Sequence, residues 1–264
     1  MNRLVLITCT IVLLAMAGCQ KPVTIDDPGT LSPGKLDLAQ HRTLGQSNKG
    51  LPIDCYIFGD GSDVVFLMAS IHGSEPAGTP LLWSMIDHIN SNPELIAGRT
   101  VIIMPVANPD GRAKRNRHNA NGVDLNRNFD TANRINKPRY GMSALSEPES
   151  RIIESVIEQY KPTRIVTIHQ PLDCIDYDGP AREFAMHLGK YTDLPVKKLG
   201  ASPGSLGSYA GETLQIPTVT FELPKAASYQ TPGQIWEKYG QALIAAITYP
   251  ESLVLDPVDM QAAR

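Results

Sequence analysis

The apolar run Val64-Val65-Phe66-Leu67-Met68-Ala69-Ser70 ends directly before His72-Gly73-Ser74-Glu75, and this junction constrains the chain more than any other. Where a strand turns into a helix, a His and a Glu three residues apart can reach one metal ion from adjacent points. Zinc accepts imidazole nitrogen and carboxylate oxygen at about 2.0–2.2 Å, and its catalytic sites keep one position open beside three protein ligands. The junction therefore asks for a third ligand further along, and for a carboxylate able to act on a water at the metal. A lone His-x-x-Glu is common, so the weight falls on those partners.

Arg164-Ile165-Val166-Thr167-Ile168-His169 reads as a strand ending in a histidine, apolar on both faces as in an α/β domain covered on both sides. A residue at the C-terminal end of such a strand points into the crevice where open α/β sheets bind ligands. Pro217-Thr218-Val219-Thr220-Phe221-Glu222 is a second strand with a terminal acid, stopped by Leu223-Pro224. A carboxylate there is costly to bury without a partner. His41, His88 and His187 read as surface or packing residues, and His118, in a basic loop, as a residue that could touch substrate.

That loop follows the turn Asn108-Pro109-Asp110-Gly111 and carries Arg112, Lys114, Arg115 and Arg117 before Gly122-Val123-Asp124-Leu125-Asn126-Arg127-Asn128-Phe129. The chain as a whole has a formal net charge of −3, and the basic stretch lacks interleaved aromatics. A basic pocket on an acidic chain suits an anionic small substrate and argues against nucleic acid. Arginine is the preferred side chain where a planar carboxylate is gripped by two parallel hydrogen bonds.

In this order, His72-x-x-Glu75, Asn108-Pro-Asp-Gly111, Gly122-Val-Asp-Leu-Asn-Arg-Asn-Phe129, His169 and Thr220-Phe-Glu-Leu-Pro224 resemble the zinc carboxypeptidases of the carboxypeptidase A type. Gln46 to Ile53 also resembles that family's first strand. The segments His169–Pro180 and Pro203–Glu212 look like those of the bacterial murein peptide amidases, which release meso-diaminopimelate from L-Ala-γ-D-Glu-diaminopimelate. Gln170-Pro171 stands where the digestive enzymes carry Ser-Tyr, and the short stretch before Leu44 leaves no room for an activation pro-domain.

The resemblance implies one Zn²⁺ held by His72, Glu75 and His169, with Glu222 as the proton-transferring base. It implies Arg117 at the oxyanion, with Arg115 as an alternative, and Asn126 and Arg127 on the free carboxylate of a small peptide substrate. A diaminopimelate side chain carries both an amine and a carboxylate. Asp173, Asp176 and Asp178, in what reads as a loop, are candidates for the amine; Asp176 is the expected substrate-binding residue. Competing readings are a zinc deacylase of N-acyl amino acids on the same scaffold, and a cell-wall-peptide-binding lipoprotein without turnover.

Met1-Asn2-Arg3 followed by an apolar core from Leu4 to Ala17 reads as a secretion signal, too short to span a membrane. Ala15-Met16-Ala17-Gly18-Cys19 resembles a lipobox, with Gln20 resembling lipoproteins sent to the outer membrane. Ordinary cleavage after Ala17, leaving a soluble periplasmic protein, is the other reading. The expected divisions are a signal over 1–18, a tether over 19–43, a catalytic domain over 44–250 and a tail over 251–264. The mature part, roughly 245 residues, suits one domain, expected to be monomeric and attached to a membrane if Cys19 is acylated. Cys55 and Cys174 are left as a pair or as free thiols.

Strands near 53–58, 64–70, 100–106, 164–169 and 217–222 alternate with helices near 77–90, 147–160, 180–190 and 232–247. The alternation predicts an α/β fold: a single-domain mixed β-sheet flanked by helices on both faces. Gly59–Asp63 reads as a tight link making the first two of those strands an antiparallel pair, and Ser205–Gln215 as a short helix.

Overall fold

The computed structural model describes residues 38–250. The expected signal, Cys19, most of the expected tether and the expected tail after residue 250 lie outside the described residues. Among the described residues, no helix is long and apolar enough to cross a membrane.

Among the described residues, seven strands, β1 (Gln40–Gln46), β2 (Pro52–Phe58), β3 (Asp63–Ala69), β4 (Arg99–Met104), β5 (Arg164–His169), β6 (Cys174–Asp178) and β7 (Thr218–Glu222), form one sheet in the order β1-β2-β4-β3-β5-β7-β6. The inner strands β4, β3, β5 and β7 are parallel, while β2 and β1 on one edge and β6 on the other run antiparallel. Side chains alternate across the pleat, so each apolar strand feeds two cores. Val65, Leu67 and Ala69 of β3 join Val101, Ile103, Val166 and Ile168 on one face. That face is covered by α1 (Gly78–Ser91), α4 (Arg182–Leu188) and α5 (Pro232–Thr248). Phe66, Met68, Ile102, Met104 and Ile165 point the other way, against α3 (Pro148–Tyr160). The expected mixed sheet with helices on both faces is the observed fold.

Three details differ from expectation. β2 and β3 are not paired, because β4 lies between them, antiparallel to one and parallel to the other. The Gly59–Ser62 link instead crosses the start of β4: Gly61 N–H donates to the Arg99 carbonyl at 3.2 Å, and Thr100 Oγ1 donates to the Gly61 carbonyl at 2.7 Å. A side chain at Gly59 would place its Cβ 2.2 Å from the Arg99 carbonyl oxygen, so this crossing needs glycine. Gln40–Thr43, read as tether, belongs to β1 and pairs with β2. The acidic segment after Asp173 is strand β6, not a loop; Cys174 and Ile175 are buried and the strand pairs with β7. Around Ser205–Gln215 the chain does turn helically, as a π-helical segment over Gly207–Thr213.

Candidate active site

The parallel strands bring their C-terminal ends to one edge of the sheet, the position where α/β sheets open into a crevice. In register, His169 of β5 lies opposite Glu222 of β7. His72 and Glu75 follow β3, the immediate neighbour of β5. Two features shape the loop after β3. Ser70 adopts a left-handed backbone (φ 51°), which turns the chain out of the strand. Gly73 packs against the Asn108–Gly111 turn so closely that a Cβ would sit 2.0 Å from the Gly111 carbonyl carbon. Asn108 completes the joint: its backbone N–H donates to the Ser70 carbonyl at 3.0 Å and its amide to the Ile71 carbonyl at 3.1 Å. The Asn-Pro-Asp-Gly turn thus braces the His72 loop.

His72, Glu75 and His169 are all buried, and each offers a donor atom within 4.8 Å of the other two. Glu75 sits between the imidazoles. Its Oε1 lies 2.8 Å from His72 Nδ1 and its Oε2 lies 2.8 Å from His169 Nδ1. The first contact falls outside hydrogen-bond geometry, so His72 Nδ1 is a buried nitrogen without a hydrogen-bond partner. An orphaned imidazole nitrogen beside a carboxylate oxygen and a second imidazole is a donor set that zinc accepts.

His72 Nε2 is engaged on its far side, 3.0 Å from Asp124 Oδ1. Asp124 Oδ1 also accepts from the Asn126 backbone at 3.1 Å, and its Oδ2 accepts from Arg117 Nε at 3.0 Å. Burial opposes a charge on His72, but Asp124 and Glu75 outweigh it and raise its pKa. Burial would likewise raise Glu75, yet the two histidines hold it well below the usual carboxylate range; His72 and the neighbouring arginines do the same for Asp124. Asp124, a member of the Gly122–Phe129 motif with no role expected of it, fixes the ring of one candidate ligand. The available signal was chemical: a buried metal-binding imidazole needs an acceptor for its other nitrogen.

Glu222 is buried at the end of β7, where its Oε2 accepts from the Leu172 backbone at 3.3 Å. Burial raises its pKa, and Glu75 adds to the shift. Arg117 bridges Asp124 and Glu75, its Nη1 lying 3.3 Å from Glu75 Oε1. Arg115 is exposed and does not line this cavity, so the structure brings Arg117 and not Arg115 to the cluster.

His72, Glu75, Arg117, His169 and Glu222 line a cavity of about 310 Å³ whose wall also contains Asn126, Arg127, Asp176 and Asp178. Asn126 Oδ1 accepts from the Leu206 backbone at 2.9 Å, tying the Asn126-Arg127 turn to the Ser205–Gly207 loop. Asp176 and Asp178, two apart on β6, face the same side; Asp173 is exposed and stands outside the wall. The two acids differ. Asp176 Oδ1 is taken by the Leu199 N–H at 2.7 Å, whereas Asp178 Oδ1 is buried with no hydrogen-bond partner. Burial, then Asp176 and Glu212, push Asp178 up to about 6. Gly207 makes room for it, since a Cβ there would lie 1.9 Å from Asp178 Oδ2. The remaining histidines, His41, His88, His118 and His187, do not line the cavity. Cys55 and Cys174 are free and buried, on strands near opposite ends of the sheet.

The sequence pattern of the zinc carboxypeptidase family matches residues 34–177. The chain is a zinc carboxypeptidase-family protein. Its membership makes it a hydrolase whose family metal is zinc, and the His72-Glu75-His169 cluster is the candidate site for that ion. It is 31% identical over 205 residues to murein peptide amidase A of Vibrio campbellii, covering 71% of this chain and 78% of that protein. The Escherichia coli K12 murein peptide amidase A is 32% identical over 180 residues, covering 61% and 72% respectively. Among solved structures, the murein-tripeptide amidase of Escherichia coli O157 superposes with a TM-score of 0.63 at 27% identity, covering 84% of this chain and 94% of that one. A carboxypeptidase A of Helicoverpa armigera shares the fold, with a TM-score of 0.68 at 23% identity over 81% of this chain and 70% of its own.

Proposed function

We propose that this zinc carboxypeptidase-family hydrolase cleaves the γ-D-Glu–meso-diaminopimelate bond of murein tripeptide or related cell-wall peptides. The observation that carries the reading is Asp178: a buried carboxylate oxygen without a partner, in a cavity that also holds Arg127. A residue with both an ammonium and a carboxylate on its side chain, and a free α-carboxylate, needs charges of both signs around it. Asp178, supported by Asp176, takes the side-chain ammonium, while Arg127 and Asn126 take the free α-carboxylate. The names of the relatives point to the same substrate class.

His72, Glu75 and His169 hold the zinc ion. When bound, zinc supplies Lewis acidity, polarising the scissile carbonyl and making water a stronger acid. Glu222 accepts a proton from the attacking water at its carboxylate, hydroxide adds to the carbonyl carbon, and the C–N bond breaks as Glu222 returns the proton to the leaving amine nitrogen. Arg117 places a guanidinium beside Glu75, where a developing oxyanion is stabilised by about 2.7–4 kcal/mol per donor.

Mass spectrometry of L-Ala-γ-D-Glu-diaminopimelate incubated with the zinc-loaded protein, beside Glu222→Gln, tests the proposal. Free diaminopimelate from the wild type alone supports it; intact tripeptide in both samples overturns it. For the N-terminus we propose export and lipidation at Cys19. Metabolic labelling with a palmitate analogue, lost in Cys19→Ser, is the expected result, and an unlabelled wild type would point to the soluble periplasmic form.

A further inference from the structure

A second depression, of about 870 Å³, shares Glu75, Arg117, Gln170 and Pro171 with the catalytic cavity and then runs on to Arg112, Arg115 and Lys225. Its charge is one-sided. Among the described residues, Glu75 is the one carboxylate in its lining, and it is already engaged by His169 and Arg117. Among the described residues, Arg112, Arg115 and Lys225 form no ion pair, and Arg112 Nε is buried without a hydrogen-bond partner. Cations normally spread over an acidic protein are here collected beside its catalytic centre.

Their backbones are held. Arg115 adopts a left-handed conformation (φ 50°), and turn hydrogen bonds from Arg115 N–H to the Arg112 carbonyl and from Asn116 N–H to the Gly111 carbonyl close the loop. Such a conformation persists only where its surroundings determine it. The loop grows from the same Asn108–Gly111 turn that braces His72, so its position is referred to the metal cluster. Lys225 follows Pro224, whose carbonyl accepts from Gln170 Nε2 at 3.1 Å.

If Asn126 and Arg127 hold the carboxylate of the released residue, that residue fills the cavity with Asp178. The acyl half of the substrate must then leave past Arg117 into this depression. We propose that the depression is a carboxylate subsite for the acyl half, with Arg115 and Lys225 as its cations and Arg112 beside them. The inference rests on the proposed function: a γ-linked D-Glu carries its α-carboxylate on the acyl side, three carbons from the scissile carbonyl. The subsite would distinguish that free acid from its α-carboxamide, the isoglutaminyl peptide.

The test compares L-Ala-γ-D-Glu-diaminopimelate with L-Ala-γ-D-isoglutaminyl-diaminopimelate in the zinc-loaded wild type, Arg115→Gln and Lys225→Gln. The wild type is expected to favour the acid by about ten- to a hundredfold in kcat/KM, the range of one charge-assisted hydrogen bond. Each substitution should lower kcat/KM for the acid far more than for the amide, drawing the ratio towards one, as should added salt. Equal rates for the two peptides in the wild type, or equal losses on both in the variants, would overturn the subsite. Calorimetry on zinc-loaded Glu222→Gln reads the same ratio without turnover. Binding that favours the acid, with neither peptide cleaved by wild type, would refute the proposed reaction while leaving the subsite standing. Absence of binding by either peptide would refute both.

Discussion

His72 Nε2 lies 3.0 Å from Asp124 Oδ1, a contact between residues 52 apart that turns the other ring nitrogen, Nδ1, towards Glu75. The carboxylate fixes both the tautomer and the plane of the ring before any ion arrives. Arg117, bonded to the same Asp124 and close to Glu75, is positioned by the arrangement that orients the ligand. The orientation of the candidate ligand His72 and the position of Arg117 are therefore set together.

Asp124→Asn should weaken zinc binding by about 10- to 100-fold, the usual cost of losing such a partner. Competition against a chelator of known affinity measures it. An unchanged zinc affinity would show that Asp124 serves only the loop.

Glu222→Gln should reduce kcat by about 10²–10⁴, the contribution typical of a positioned proton carrier. Zinc content, read by elemental analysis, should remain at the wild-type level because Glu222 is not a ligand. Loss of both zinc and activity would reassign the residue.

Asp178 gives a pH signature. Its folded pKa of about 6 lies above the ordinary 3.8, so the proton it retains stabilises the fold fully below about pH 4. That contribution disappears as pH rises through about 6. Asp176 and Glu212 repel the charged form, with Lys198 partly offsetting them. Asp178→Asn should thus gain stability relative to wild type as pH is raised from about 4 to 7, by about 3 kcal/mol at most. Thermal denaturation at the two pH values follows the gap, and a gap independent of pH would contradict the assigned burial. The same variant should raise KM for a diaminopimelate peptide.

Arg164 and Asp63 form a buried two-pronged pair, Nη1 to Oδ1 at 2.5 Å and Nη2 to Oδ2 at 2.9 Å, and Arg164 Nε also donates to the Ala246 carbonyl. The pair ties the start of β3 and β5 to the end of α5. Asp63→Ala strands a buried guanidinium and should cost about 3–5 kcal/mol. Urea denaturation should show a lower midpoint with an unchanged slope.

Much of this was legible locally. The apolar runs marking β3, β5 and β7 are long enough to identify buried strands; β5 and β7 end in His169 and Glu222, and β3 is followed closely by His72 and Glu75, residue types that suit metal or proton chemistry. His72, Glu75, His169 and Glu222 could be picked out for that reason. β6 was hidden because Cys-Ile-Asp-Tyr-Asp is only five residues long and its alternating acids face a polar cavity, so it resembles a loop until β7 pairs with it. The choice of Arg117 over Arg115 depends on a left-handed residue, which composition does not reveal.

By itself the sequence determined the periodicity of the strands and helices and the chemical type of each strand-end residue, since both follow from neighbours along the chain. Only the tertiary structure decided that β4 separates β2 from β3, that Asp124 meets His72, and that Asp178 rather than Asp176 has a buried oxygen without a hydrogen-bond partner among the described residues. Those outcomes depend on which buried surfaces and backbone ladders satisfy one another across distant segments. No short stretch of sequence carries that sum.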